Sequence, residues 1–159
     1  MESISNYAKE QYEYIKGSRN ILFDYCKTIS AEDFINQNTS FGRGGSMRNL
    51  LVHIVNTYEY WIANIALKKN VKYAEYENYS TIQEVIILFD SIDKLMVDFI
   101  FALDNFDNEI EYEIQNIKSS VKPFKLFTHV TTHEFHHKGQ ILSLSRHLGY
   151  IPVDTDIMR

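Results

Sequence analysis

One cysteine, two prolines and six glycines in 159 residues remove several classes of protein at once. A lone Cys26 cannot form an internal disulfide, so the chain is not a disulfide scaffold and its expected compartment is reducing. So few prolines and glycines exclude collagen-like and low-complexity chains. Positive charge is scarce as well: 16 Lys and Arg stand against 21 Asp and Glu, a net charge of −5. Phosphate backbones are bound by clustered Lys and Arg that this chain does not show, so no nucleic-acid partner is expected. No uncharged apolar run reaches the ~18 residues of a membrane span. The opening Met1-Glu-Ser-Ile-Ser also lacks the basic and apolar regions of a leader, so a cytoplasmic location without a membrane partner is expected. There the sequons at Asn38 and Asn78 carry no meaning.

What is present is amphipathic periodicity. An apolar fraction of 45% over 159 residues suits one domain, 1–159, with one core. Ile4, Tyr7, Ala8, Ile15, Leu22, Tyr25, Cys26 and Ile29 recur at three and four and predict a first helix over about 3–28. Cys26 shares a face with Leu22 and Ile29 and reads as a core thiol rather than a nucleophile. Ser30, three residues before Asp33, predicts a short capped turn, and the polar stretch 36–45 a loop in which Gly42, Gly44 and Gly45 form turns. Ser46 caps a second helix to about Lys69, with a stripe of Leu50, Leu51, Ile54, Tyr58, Trp61, Ile62 and Ile65. Residues 70–79 read as a loop whose Tyr73, Tyr76 and Tyr79 either pack over helix ends or roof a pocket. Ser80 and Thr81, with Gln83 and Glu84 at capping-box spacing, open a third helix running to about Leu103. Alternation from Glu109 to Val121 allows a β-hairpin before a fourth helix of about Phe124 to Leu148, which Gly149 and Pro152 close. Four amphipathic helices of this kind predict an all-α four-helix bundle.

The chemistry concentrates in His129-Val-Thr-Thr-His133-Glu134-Phe-His136-His137-Lys-Gly-Gln140, which holds four of the six histidines. With each helical residue advancing about 100°, His133 and His137 fall inside the apolar stripe of Leu126, Val130, Ile141, Leu144 and Leu148, while His129, His136 and His147 fall on its flank. Two inward imidazoles one turn apart, roughly 6 Å, form a chelate for a divalent ion and leave a third ligand to another helix. His53, at the edge of the second helix's stripe, is the candidate; its alternative is a histidine bonded to Asn49 or to a backbone carbonyl. Three neutral imidazoles leave open coordination positions, the pattern of a catalytic rather than a closed site. The same stretch spells HExxH, with Glu134 as a candidate general base. The spacing after His137 does not continue that motif, which makes a zincin the weaker reading, and a role for Glu134 behind the ligands or at the surface is preferred.

His53 after an apolar run, His133-x-x-x-His137 followed by Lys138-Gly-Gln140, and then Leu148-Gly149-x-x-Pro152 with an acidic tail resemble the DinB/YfiT-like superfamily along nearly the whole chain. The resemblance implies an up-down-down-up four-helix bundle, often dimeric, in which His53, His133 and His137 bind zinc, nickel or a similar divalent ion. It also implies a small-molecule substrate: members include transferases of low-molecular-weight thiols, and others are called hydrolases. A metal-dependent thiol S-transferase is the first expectation, with a hydrolase or a non-catalytic metal-binding stress protein as alternatives. Lys138 stands where the family often has Arg, which keeps the charge and loses bidentate anion recognition.

Overall fold

A computed structural model of the chain describes residues 3–39 and 45–159. Gly42 and Gly44, expected to form turns, lie outside the described residues. Helix α1 spans Ile4–Cys26, and the short α2, Ala31–Ile35, begins where the Ser30 side chain accepts the Asp33 amide. Helix α3, Met47–Tyr58, starts on the Ser46 cap and continues as a π-helix over Glu59–Ala66. Helix α4, Ile82–Ala102, opens on a full capping box between Thr81 and Glu84. Strands β1, Ile110–Ile114, and β2, Ile117–Val121, form an antiparallel hairpin, and α5 runs Pro123–His147. Each cap satisfies an amide that the first helical turn would otherwise leave unbonded, worth about 1 kcal/mol.

The direction of each helix follows from its partners. Ser5 bonds Asp104, Tyr12 bonds Asp93 and Phe23 packs on Phe89, so α1 and α4 are antiparallel. Tyr25 bonds Ser145 and Arg19 bonds Glu134, so α1 and α5 are parallel. His53 meets His137 while Trp61 meets His129, so α3 and α5 are antiparallel. The order is therefore up-down-down-up, around a core that includes Leu22, Leu51, Ile54, Phe89, Phe99, Phe127 and Ile141. Buried Cys26 belongs to this core, and burial pushes its thiol up to about 12, as a structural cysteine requires.

Two successive down helices need a connection that travels the length of the bundle, and 67–81 is that segment. Asn64 grips Val71 through both N–H and C=O, Asn56 grips Ala74 in the same way, and Arg48 donates to the Tyr79 carbonyl, so the return runs antiparallel to α3 on side-chain clasps. Its tyrosines do not roof the histidines. Tyr76 and Tyr79 pack partly on the core, and Tyr73 is 47% exposed and tilted against Tyr60. The hairpin instead joins α4 and α5 at one end of the bundle. Its turn residues Gln115 and Asn116 both have positive φ, 52° and 63°, the twist that suits a two-residue hairpin loop.

The second helix departs from expectation in its winding. From Glu59 onward the bonds lengthen, ending with the Leu67 amide donating to the Ile62 carbonyl at 2.9 Å, five residues back. No Pro or Gly marks the change. π-Helical turns are rare and occur frequently at functional sites, and this one carries Trp61.

Candidate metal centre

Helix α5 presents two different faces to two different neighbours. His133 and His137 meet α3, whose His53 completes a group in which one ligand atom from each ring lies within 4.8 Å of the others. Ring centroids are 5.0 Å apart for His53 and His133, 4.8 Å for His53 and His137, and 4.3 Å for His133 and His137. The Nε2 atoms of His133 and His137 stand 3.0 Å apart. Nitrogens at 2.0–2.1 Å from one tetrahedral ion would be about 3.3 Å apart, so this pair already has chelate spacing.

The hydrogen bonding shows what the group lacks. His137 Nδ1 lies 2.7 Å from Gln140 Oε1, which as an acceptor keeps the proton on Nδ1 and turns an unprotonated Nε2 toward His133. His133 Nδ1 is buried and has no partner among the described residues. A buried polar atom left so costs about 1–3 kcal/mol. Burial first, and then the neighbouring His137, His53, His129 and His136, push the His133 pKa down to about 3, so the ring is held neutral. Converging imidazoles whose Nε2 atoms already stand at chelate spacing fit a divalent ion, for which imidazole is a good ligand.

The group lines an open cleft of about 590 Å³ together with Thr57, Trp61, His129, His136 and Gln140. His129 and His136, expected on the flank, are exposed cleft residues, with ring centroids 6.0 Å from His133 and 4.9 Å from His137 respectively. His147 is exposed and outside the cleft lining. Gln140 and Trp61 were legible in the sequence only as a motif letter and a stripe residue. The signals were Gln140 three residues after a ligand candidate and Trp61 eight after His53, both on the ligands' own helical faces.

Glu134 neither faces solvent nor joins the histidines. It is fully buried against α1, where Arg19 Nε donates to Oε1 at 2.8 Å, Arg19 Nη2 to Oε2 at 3.0 Å and the Tyr58 hydroxyl to Oε2 at 2.7 Å. Arg19 Nη1 also reaches Asp93 at 2.6 Å, so the network ties all four long helices. Burial is the largest influence and works against the guanidinium charge, but Glu134, Tyr12 and Tyr58 together outweigh it and hold Arg19 above its ordinary value. Burial first and then Glu134 likewise hold the Tyr58 hydroxyl protonated. With both carboxylate oxygens bonded to cationic and hydroxyl donors, Glu134 is not placed to collect a proton from the cleft.

Comparison with known proteins agrees with this arrangement. The DinB family model matches residues 3–159. The chain belongs to the DinB family. It is also 23% identical over 154 residues to the uncharacterized protein YizA of Bacillus subtilis (strain 168), covering 92% of this chain and 91% of YizA. This member of the DinB family is thus a helical bundle with a three-histidine group able to hold a metal ion. No helix among the described residues is long and apolar enough to cross a membrane.

Proposed function

We propose that this DinB-family protein is a metal-dependent enzyme that transfers a low-molecular-weight thiol to a small electrophile. The observation that carries the reading is a cleft with three converging imidazoles and no carboxylate among the described residues that line it. His53, His133 and His137 would hold the ion, with zinc or nickel suited to the all-imidazole donor set. When bound, such an ion supplies Lewis acidity, drawing the pKa of a ligated thiol or water down toward neutral.

The residues of the chain favour the thiol. Hydrolysis by an HExxH centre requires its Glu to take a proton from water, and here that Glu is held by Arg19 and Tyr58. A thiol is far more acidic than water and loses its proton without such a base. Gln140 fixes the proton of His137 on Nδ1, and so keeps Nε2 free to bind, the usual task of a group behind a metal ligand. The cleft is compact and offers no strand edge on which a peptide could align, which favours a small substrate.

Metal analysis of the purified protein followed by thiol-consumption assays against a panel of electrophiles tests the proposal. Turnover should require metal and vanish in His133→Ala. Metal-dependent cleavage of esters or amides, with no thiol consumption, would replace it with the hydrolase reading. Dimerisation and a cytoplasmic setting belong to the same proposal, and light scattering of the metal-loaded protein reads the first.

A further inference from the structure

Apart from the histidines, the described residues give the cleft one large aromatic side chain, Trp61, the single tryptophan of the chain. Its ring is half-buried and held by three others set nearly perpendicular to it. Tyr60 lies at 4.9 Å and 89°, Tyr112 of β1 at 5.4 Å and 80°, and His129 of α5 at 5.4 Å and 81°. Edge-to-face neighbours are a preferred aromatic geometry, and here they come from the π-helix, the hairpin and α5, so the indole is fixed before any ligand arrives. Among the described residues its surroundings in the cleft include no Asp, Glu, Lys or Arg: Thr57, His129, His136 and Gln140 are the other lining side chains besides the three candidate ligands.

The cleft is too large for an ion and a few waters alone. Its volume of about 590 Å³ lies in the range of small-ligand pockets, while one water takes about 30 Å³. A cationic group would be repelled by a divalent ion, and a carboxylate beyond the ion would find no cationic side chain among the described residues that line the cleft. An uncharged planar ring meets neither obstacle and finds an oriented aromatic wall.

We propose that Trp61 is a specificity-determining residue whose indole stacks the uncharged, planar aromatic part of the electrophile. The inference rests on the thiol-transfer reading for its chemistry and on the cleft alone for its binding. With chlorodinitrobenzene as electrophile, the thiol sulfur bonds to the ring carbon that bears chlorine as the carbon–chlorine bond breaks. Chloride leaves with the electron pair, and the thiol proton passes to solvent.

Because the chain has one tryptophan, its fluorescence reports on this wall without any turnover. Dinitrobenzene, which has no leaving group, should quench the metal-loaded wild-type protein along a saturable curve, whereas acrylamide should quench it linearly. Trp61→Ala should lower the preference in kcat/KM for chlorodinitrobenzene over an aliphatic epoxide by about tenfold, and Trp61→Phe should keep most of it. The wild-type titration decides the matter even where Trp61→Ala does not fold. Linear quenching by dinitrobenzene, or an unchanged preference in folded Trp61→Ala, overturns the proposal. His133→Ala should lose metal and turnover yet keep saturable quenching. Saturable quenching with no turnover in any form therefore supports the aromatic site and refutes thiol transfer, and turnover with linear quenching does the reverse.

Discussion

Helix α5 carries two polar pairs at i,i+4 spacing, one residue out of step: His133 with His137, and Glu134 with Lys138. The 100° between them turns the first pair to α3 and the second to α1, and the two faces are finished differently. Glu134 receives three donors, and Lys138 bonds Ser18, which in turn donates to the Thr155 carbonyl of the tail, while its ammonium lies 3.6 Å over the Phe135 ring. The histidine face turns three imidazoles toward one another at chelate spacing and opens on a cleft, with no carboxylate among the described lining residues to complete it. A polar cluster completed by the protein itself serves the fold, whereas one left incomplete beside a cavity waits for something from outside. Lys138 also answers what its presence in place of Arg means here: buried at 2% exposure, it anchors the tail and lies outside the cleft lining.

The sharpest way to break this comparison is to cut the α1 face. Glu134→Ala leaves Arg19 buried without its main counter-charge and should cost about 3–5 kcal/mol, read as a lower urea midpoint at unchanged slope. A loss below about 1 kcal/mol would mean that the network adds nothing to the fold. Cutting the other face should do the opposite. His53→Ala, His133→Ala or His137→Ala should each weaken metal binding by about a hundred- to thousandfold, taking 10–16 kcal/mol of metal binding as shared among four ligands. His133→Leu should leave the metal-free fold as stable as wild type or more so, because it removes an orphaned buried nitrogen. Chelator competition measures the first effect and denaturation the second; full metal retention in His53→Ala would dissolve the three-ligand group. His129→Ala, His136→Ala and His147→Ala should keep the metal.

A smaller effect is expected one step behind the ligands. Gln140→Leu frees the His137 ring and should weaken metal binding by about 10–100-fold, with the urea midpoint unmoved. Equal affinity in the variant would make the 2.7 Å contact incidental. A separate effect is in pH. In metal-free protein the folded pKa of His133 lies near 3, below its ordinary 6.5, so the unfolded chain binds the extra proton between those values. Stability should therefore rise with pH across that window, with a shallower slope in His133→Leu. Lys138, lowered by burial from 10.5 to about 8, follows the same sign between those two values. Identical slopes for wild type and His133→Leu from pH 3 to 6.5 would show that the ring is not held neutral.

The helices, caps and hairpin were readable because local chemistry decides them: Ser46, Thr81 with Glu84 and Gly149 each act within one turn of where they stand. His133 and His137 were readable for the same reason, since a 3.6-residue period fixes their common face. Glu134 was not. A helix at a bundle corner packs on two neighbours, so its buried surface is wider than the one apolar stripe, and a charged residue outside the stripe can still be interior when another helix brings its counter-charge. The return segment was read as an aromatic loop because its clasps are side chains of the preceding helix, Asn56 on α3 and Asn64 on the π-helix, whose bonds to Ala74 and Val71 follow no helical or strand period. The π-helix had no Pro or Gly to announce it.

What the sequence by itself determined is the set of amphipathic helices and the inward pair His133 and His137, because helical period and capping are properties of neighbouring residues. Only the tertiary structure decided that His53 stands opposite that pair, that Arg19 claims Glu134, and that Tyr112 and His129 brace Trp61 beside the histidines. Each of those contacts joins residues at least 40 positions apart or on different elements. It exists because packing the up-down-down-up bundle brings their faces together, which no local pattern encodes.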